Sequence, residues 1–195
     1  MRSFMRFKSL ACFSFLGCCL SIASATSSAQ EVVHALAGKV VAVNAKASTF
    51  LLAPDDGTDG SFRLPSASRT PVDFDKTVKS ETTPASSFTK TGSEIVLFYD
   101  GYGNERTALA VQDLGNAPLD KSAGTVAKFN RHEHLLTIKT DAGATASFHI
   151  DDKTVAETSD GVEVGDKFSP EKGRQIRVVA AKSSGVETAL FVRSS

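Results

Sequence analysis

The chain of 195 residues has no tryptophan, only two tyrosines, three cysteines and two methionines. All the sulfur sits at one end: Cys12, Cys18, Cys19, Met1 and Met5 precede residue 20. Everything downstream therefore lacks thiol, thioether and indole. That excludes a disulfide framework, a cysteine nucleophile and a thiolate metal site for the body of the protein. Charge of neither sign dominates, with 22 basic against 22 acidic residues. The basic excess that nucleic-acid backbones usually require is missing. No stretch sustains a helical hydrophobic period, so at most one helical turn is expected, in the loop after the third strand. Catalytic signatures are absent too: no G-x-S-x-G elbow, no H-E-x-x-H, no phosphate loop and no dinucleotide fingerprint. Paired carboxylates occur only in turns, where nothing excludes water or shifts a proton affinity. The chain is read as non-enzymatic, and no cofactor is expected.

Residues 1–29 have the composition of an export leader. Arg2, Arg6 and Lys8 open it, Leu10 to Ile22 is mostly apolar, and Ala23-Ser24-Ala25 and Ser27-Ser28-Ala29 each supply a small-residue cleavage pattern. The expected location is periplasmic or secreted, after cleavage near Ala25 or Ala29, with no transmembrane segment in the mature chain. A lipid anchor at Cys18 is the competing reading. Phe15-Leu16-Gly17-Cys18 fits it poorly, because Leu16 stands where a small residue is usual. With the three basic leader residues removed, acidic residues exceed basic ones by three.

What the chain does have is an internal repeat. Gly38-Lys39-Val40, Asn44, Asp55, Gly57 and Ser61-Phe62-Arg63-Leu64 recur 86 positions later as Gly124-Thr125-Val126, Asn130, Asp141, Gly143 and Ser147-Phe148-His149-Ile150. Gly92, Ile95 and Thr107-Ala108-Leu109 recur 81 positions later as Gly173, Ile176 and Thr188-Ala189-Leu190. A long period with one length change implies two copies of a small domain rather than a solenoid. Each copy is short for a single hydrophobic core without disulfides, which is a reason to expect the two to pack together.

Each copy reads as five short strands separated by turn formers. In the first they are Lys39–Asn44, Thr49–Ala53, Ser61–Leu64, Glu94–Tyr99 and Thr107–Gln112. In the second they are Thr125–Asn130, Leu135–Lys139, Ala146–Ile150, Gln175–Ala180 and Thr188–Val192. Residues 65–92 read as a long loop with one short extended piece near Thr77–Lys79. The expected organisation is a leader (1–29), a flexible lead-in (30–37), a first barrel (38–115), a linker (116–123) and a second barrel (124–195). Five strands with a long connection between the third and fourth is the pattern of an oligonucleotide/oligosaccharide-binding (OB) barrel. The fold class expected is all-β, two tandem five-stranded OB-like barrels.

Gly38-Lys39-Val40, Asn44, Pro54-Asp55-Asp56-Gly57, Ser61-Phe62 and Ser66-Ala67, with Gly124-Thr125-Val126-Ala127-Lys128-Phe129-Asn130 in the second copy, resemble the cold-shock domain family. That family runs G-T-V-K-W-F-N, K-G-F-G-F-I, T-P-D-D-G and V-F-V-H-F-S-A. The resemblance implies single-stranded DNA or RNA binding through exposed aromatics on strands two and three. Those positions are Thr49 and Leu51 in the first copy and Leu135 and Thr137 in the second. Only Phe62 and Phe148 keep the first aromatic of strand three. Their parity, with Phe62 and Leu64 on one face and Arg63 on the other, points them inward. Stacking contributes about 1–3 kcal/mol per base, so most of that affinity is absent. If nucleic acid binds at all, Phe62, Phe148, Phe129, Lys128, Arg131 and Arg63 are the residues the resemblance implies.

The favoured reading is a non-enzymatic exported binding or scaffold protein. Its partner would be a protein or envelope component, met at the open barrel face, the groove between copies or the 65–92 loop. Candidate contacts are Arg63, Tyr99, Tyr102, Lys128, Phe129 and Arg131, with Tyr99 and Tyr102 forming an aromatic spot at a hairpin tip. A third reading is a divalent-metal site in the second copy from His132, His134 and His149, with His134 placed near Asp151. Copper-carrier barrels of similar size use Met, His and Trp, and that set is not available here. Asp55, Asp56 and Asp59 read as solvated turn carboxylates rather than a calcium site.

Overall fold

Residues 31–69, 72–115, 117–183 and 185–194 are described by the structure, a computed structural model. The leader, both cleavage points and Cys18 lie outside the described residues.

The first half contains β1 (His34–Asn44), β2 (Thr49–Pro54), β3 (Ser61–Arg63), α1 (Lys76–Ser80), β4 (Thr83–Pro84), β5 (Glu94–Asp100) and β6 (Thr107–Asp113). The second contains β7 (Leu119–Asn130), β8 (Leu135–Thr140), β9 (Thr145–His149), β10 (Val155–Thr158), β11 (Gly161–Val164), β12 (Gln175–Ser183) and β13 (Val186–Ser194). In the first sheet the order is β3-β2-β1-β5-β6, and β3 meets β6 in parallel at Arg63 and Thr107, closing a ring. In the second the order is β9-β8-β7-β12-β13, and β9 meets β13 in parallel at His149 and Thr188. The fold is all-β and OB-like, as expected.

Identical devices shape both rings. The long first strand serves two neighbours: His34–Lys39 pairs with β5, and Gly38–Asn44 with β2. A bulge between Val40 and Ala42 bends it, and the same bulge lies between Val126 and Lys128 in β7. Gly38 lies against β2, and a Cβ there would run into the carbonyl oxygen of Ala53. Gly124 meets the Lys139 carbonyl in the same way. The turn after the first strand ends on a residue with left-handed backbone, Ser48 (φ 51°) or His134 (φ 50°). The carbonyls of these two residues accept from Leu64 N and Ile150 N, each at 2.8 Å.

Side-chain alternation sorts the apolar residues into three clusters. Phe50, Phe62, Leu64, Ile95, Leu97 and Tyr99 fill the first ring. Leu136, Ile138, Phe148, Ile150, Ile176 and Val178 fill the second. A third cluster lies between the rings: Val33, Ala35, Ala37, Val96 and Phe98 from the first pack on Val155, Val164, Val179 and Phe191 from the second. This explains why β5 is buried along nearly its whole length. Ile95, Leu97 and Tyr99 point into the ring, and Val96 and Phe98 point into the seam.

Polar ties border the seam. Lys121 donates to Asp55 (2.7 Å) and Glu94 (2.8 Å), Arg193 to Asp56 (2.5 Å), and Lys167 to Asp75 (2.7 Å). Val162 N donates to the Val33 carbonyl at 3.1 Å. The described residues from Glu31 onward belong to one compact unit.

Three expectations need correcting. The lead-in ends earlier than expected: β1 starts at His34, with Val33, Ala35, Leu36 and Ala37 buried. Likewise most of the expected 116–123 linker is strand, since β7 starts at Leu119 and pairs with β12 from that residue. Both extensions exist because a second partner strand was available to them. The piece at Thr77–Lys79 is helical rather than extended, because the Asp75 carboxylate accepts from Thr77 N (2.9 Å) and Val78 N (3.4 Å) and so caps a turn. The β10–β11 hairpin was also not anticipated.

Candidate functional site

At one edge of the seam lies a cleft of about 390 Å³, bounded by residues from both rings. Strand β1 contributes His34, and the β5–β6 hairpin contributes Tyr99, Tyr102 and Arg106. From the second ring come Glu157 on β10, Arg193 on β13 and Arg174, which precedes β12.

Glu157 anchors the floor. It is 5% exposed, and both of its oxygens are held by β1: His34 Nδ1 donates to Oε1 (2.8 Å) and Ala35 N to Oε2 (2.9 Å). Burial pushes its carboxyl above the usual glutamate range, opposed by the bonds from His34 and Ala35 and by the charges of His34 and Arg193. The other ring nitrogen of His34, Nε2, is shut off from solvent and has no partner among the described residues. The pair thus ties one ring to the other and offers no proton-transfer face to the cleft.

The rim is made of aromatic and cationic groups. Tyr102 is 77% exposed, with its ring 6.0 Å from that of His34 at a 64° angle. Tyr99 sits beneath, 5.1 Å from Phe62, and burial raises its phenol above its ordinary range. The Arg106 guanidinium lies 4.5 Å over the Phe62 ring and donates through Nη2 to the Asp59 carbonyl (2.6 Å). Arg193 uses Nη1 on Asp56. Burial lifts the Asp56 carboxyl, but bonds from the Thr58 hydroxyl and backbone, with the Arg193 and Arg177 charges, bring it below the usual aspartate range. Arg174 makes no ion pair among the described residues.

Of the candidates named from sequence, only Tyr99 and Tyr102 border this cleft. The aromatic spot is a single exposed ring, because Tyr99 belongs to the first core. Phe62 and Phe148 are 2% and 0% exposed, and neither is available for stacking. Phe129 is half-buried against the second core, 6.2 Å from Phe168. Arg63 and Lys128 are exposed on their strands, and Arg131 donates to the Ser169 hydroxyl. The outer face of strands two and three thus carries Thr49, Leu51, Ser61 and Arg63 in one ring and Leu135, Thr137, Ser147 and His149 in the other. No aromatic platform is present on it, so the stacking that single strands need is missing.

His132 is exposed in the β7–β8 turn. His134 and His149 lie 6.3 Å apart by ring centroids, and His134 Nδ1 is 3.7 Å from Asp166. No group of three His, Cys, Asp or Glu side chains among the described residues is placed to hold a metal. Asp55 and Asp56, read as solvated turn carboxylates, are instead partly buried ties across the seam. In the 65–92 region a second hollow of about 410 Å³ is lined by Val72, Phe74, Pro84 and Leu109. Its two cations are already engaged, Arg69 with Asp100 and Glu31, and Lys79 with Asp73.

The residues that sequence reasoning missed are His34, Arg106, Glu157, Arg174 and Arg193. Glu157 left one trace, a carboxylate directly after the apolar Val155-Ala156.

No family model and no curated protein matches the chain. Among solved structures, the crystal structure of Ag(I)CusF is similar at 14% identity and a TM-score of 0.31, over 40% of this chain and 99% of that one. No helix among the described residues is long and apolar enough to cross a membrane.

Proposed function

We propose that this is a non-enzymatic, exported binding protein whose ligand site is the cleft at the seam between its two OB-like barrels. The observation that carries this reading is that the cleft is built jointly. Aromatic rings come from the first barrel, cations come from both, and a buried carboxylate of the second is locked to β1. Clefts between packed units are common ligand sites, and a volume of about 390 Å³ lies at the small end of their range. Two features favour binding over catalysis: the solvent-shielded Nε2 of His34 and the full engagement of the Glu157 oxygens. The leader composition supports export.

The test is affinity capture from envelope extract with the natural protein and with Tyr102→Ala and Arg174→Gln variants. Both side chains are exposed, so neither change disturbs a core. Loss of a bound species in the variants supports the reading. An unchanged set of bound species, or turnover of a small substrate, contradicts it.

A further inference from the structure

We infer that the seam cleft takes a carboxylate carried on a ring, an inference that rests on the binding reading above. The argument starts from hydrogen-bond supply. The acceptors in the floor are occupied: Glu157 receives His34 and Ala35. Two nearby carboxylates are engaged in ion pairs, Asp56 with Arg193 and Asp59 with Arg106, while those of Asp160, Glu163 and Glu171 line the adjoining hollow that shares Arg174. Donors remain in excess. Arg193 uses Nη1, and Arg106 uses Nε and Nη2, leaving each a further terminal nitrogen with no partner among the described residues. Arg174 has its whole fork unpaired among the described residues. A lining whose free charged groups are guanidinium donors selects a ligand that brings a complementary anion, and a guanidinium fork matches a carboxylate in two-point fashion.

The ring follows from Tyr102. An aromatic side chain this exposed at the mouth of a cleft, with His34 edge-on beside it, presents a flat face that water covers poorly. The cleft volume of about 390 Å³ holds such a ring with its substituents and leaves room beside it. Aromatic acids and uronic acids both satisfy this chemistry.

Calorimetric titration of the purified full chain with benzoate, galacturonate, benzamide and galactose separates the outcomes. Binding of benzoate or galacturonate at least tenfold tighter than its neutral counterpart, weakened about tenfold by Arg174→Gln and by added salt, supports the inference. Which of the two binds identifies the source of the ring. Tyr102→Ala is expected to weaken the acid that binds without removing the salt dependence. Equal binding of acid and neutral partner, untouched by Arg174→Gln, overturns the carboxylate inference while leaving the cleft as a ligand site. No heat with any of the four also overturns it, and the envelope capture then decides separately whether the cleft binds something else.

Discussion

Between their third and fourth ring strands the two barrels take different routes. The first places α1 and the two-residue β4 there, and the second places the β10–β11 hairpin. Elsewhere they share the same devices: the bulges, the left-handed turn residues, the crossing glycines and the parallel closure all recur. Closing a five-stranded ring leaves little choice at those positions, so both copies meet the same demand. The connectors face no such demand, and they join the ring strands β1, β5, β12 and β13 in the seam. Val72, Phe74 and Val78 flank one side of the seam, and Val155, Val162 and Val164 the other. Glu157, which holds His34, also belongs to the hairpin that only the second barrel has.

If the seam is a core in its own right, emptying it should cost as much as emptying a ring. Phe98 is fully buried there and stacks on Phe74 at 5.3 Å. Phe98→Ala is expected to destabilise the protein by about 3–5 kcal/mol in urea unfolding, the range for a ring-core phenylalanine. A loss below about 1 kcal/mol would show that the seam is not packed as a core.

A smaller effect is expected from the hairpin itself. Gly161 has φ +108°, and a Cβ there would lie 2.8 Å from Val32 Cγ1 and 2.9 Å from the Val33 carbonyl oxygen. Gly161→Ala should destabilise by more than about 1 kcal/mol, since it adds backbone strain to a collision across the seam. Gly173→Ala, with φ +89° and open space around it, is the control that isolates the strain. Equal losses at the two sites would mean that the hairpin does not press on β1.

The smallest effect is one of shape. Folding raises the affinity of Glu157 for its proton. Its stability contribution is therefore fully present below the ordinary glutamate range and is lost as pH rises through the raised value. Glu157→Gln should flatten the fall of the melting temperature as pH rises above the ordinary glutamate range, in the direction of relative gain at the upper end. The carboxylates held low, Asp56, Asp75 and Asp113, act below that window and do not interfere. An unchanged slope would place the Glu157 carboxyl in contact with water.

Most of the ring was legible in the sequence, because its demands are local and repeat. Parity alone placed Phe62 and Phe148 inside, and turn glycines placed the hairpins. The seam left a weaker signal. Five consecutive apolar residues, Ile95–Tyr99, are the mark of a strand covered on both faces, but a run this short names no partner for the second face. The cleft left almost none, since His34, Arg106, Glu157, Arg174 and Arg193 are scattered along the chain and are gathered only by the packing of one ring on the other. Asp75, a residue type that caps helices, marks the start of α1 in the sequence, within a segment that reads as a loop with a short extended piece.

The central claim is that the two barrels form one cooperative body, and the two tyrosines make it measurable. Both lie in the first barrel, so tyrosine fluorescence reports that barrel alone, while far-ultraviolet circular dichroism reports both. Ile138→Val, in the core of the second barrel, should lower stability by about 1 kcal/mol. In urea unfolding, the account predicts that the tyrosine transition moves to lower denaturant by the same amount as the dichroism transition. A tyrosine transition that stays in place while the dichroism curve moves or splits would contradict it.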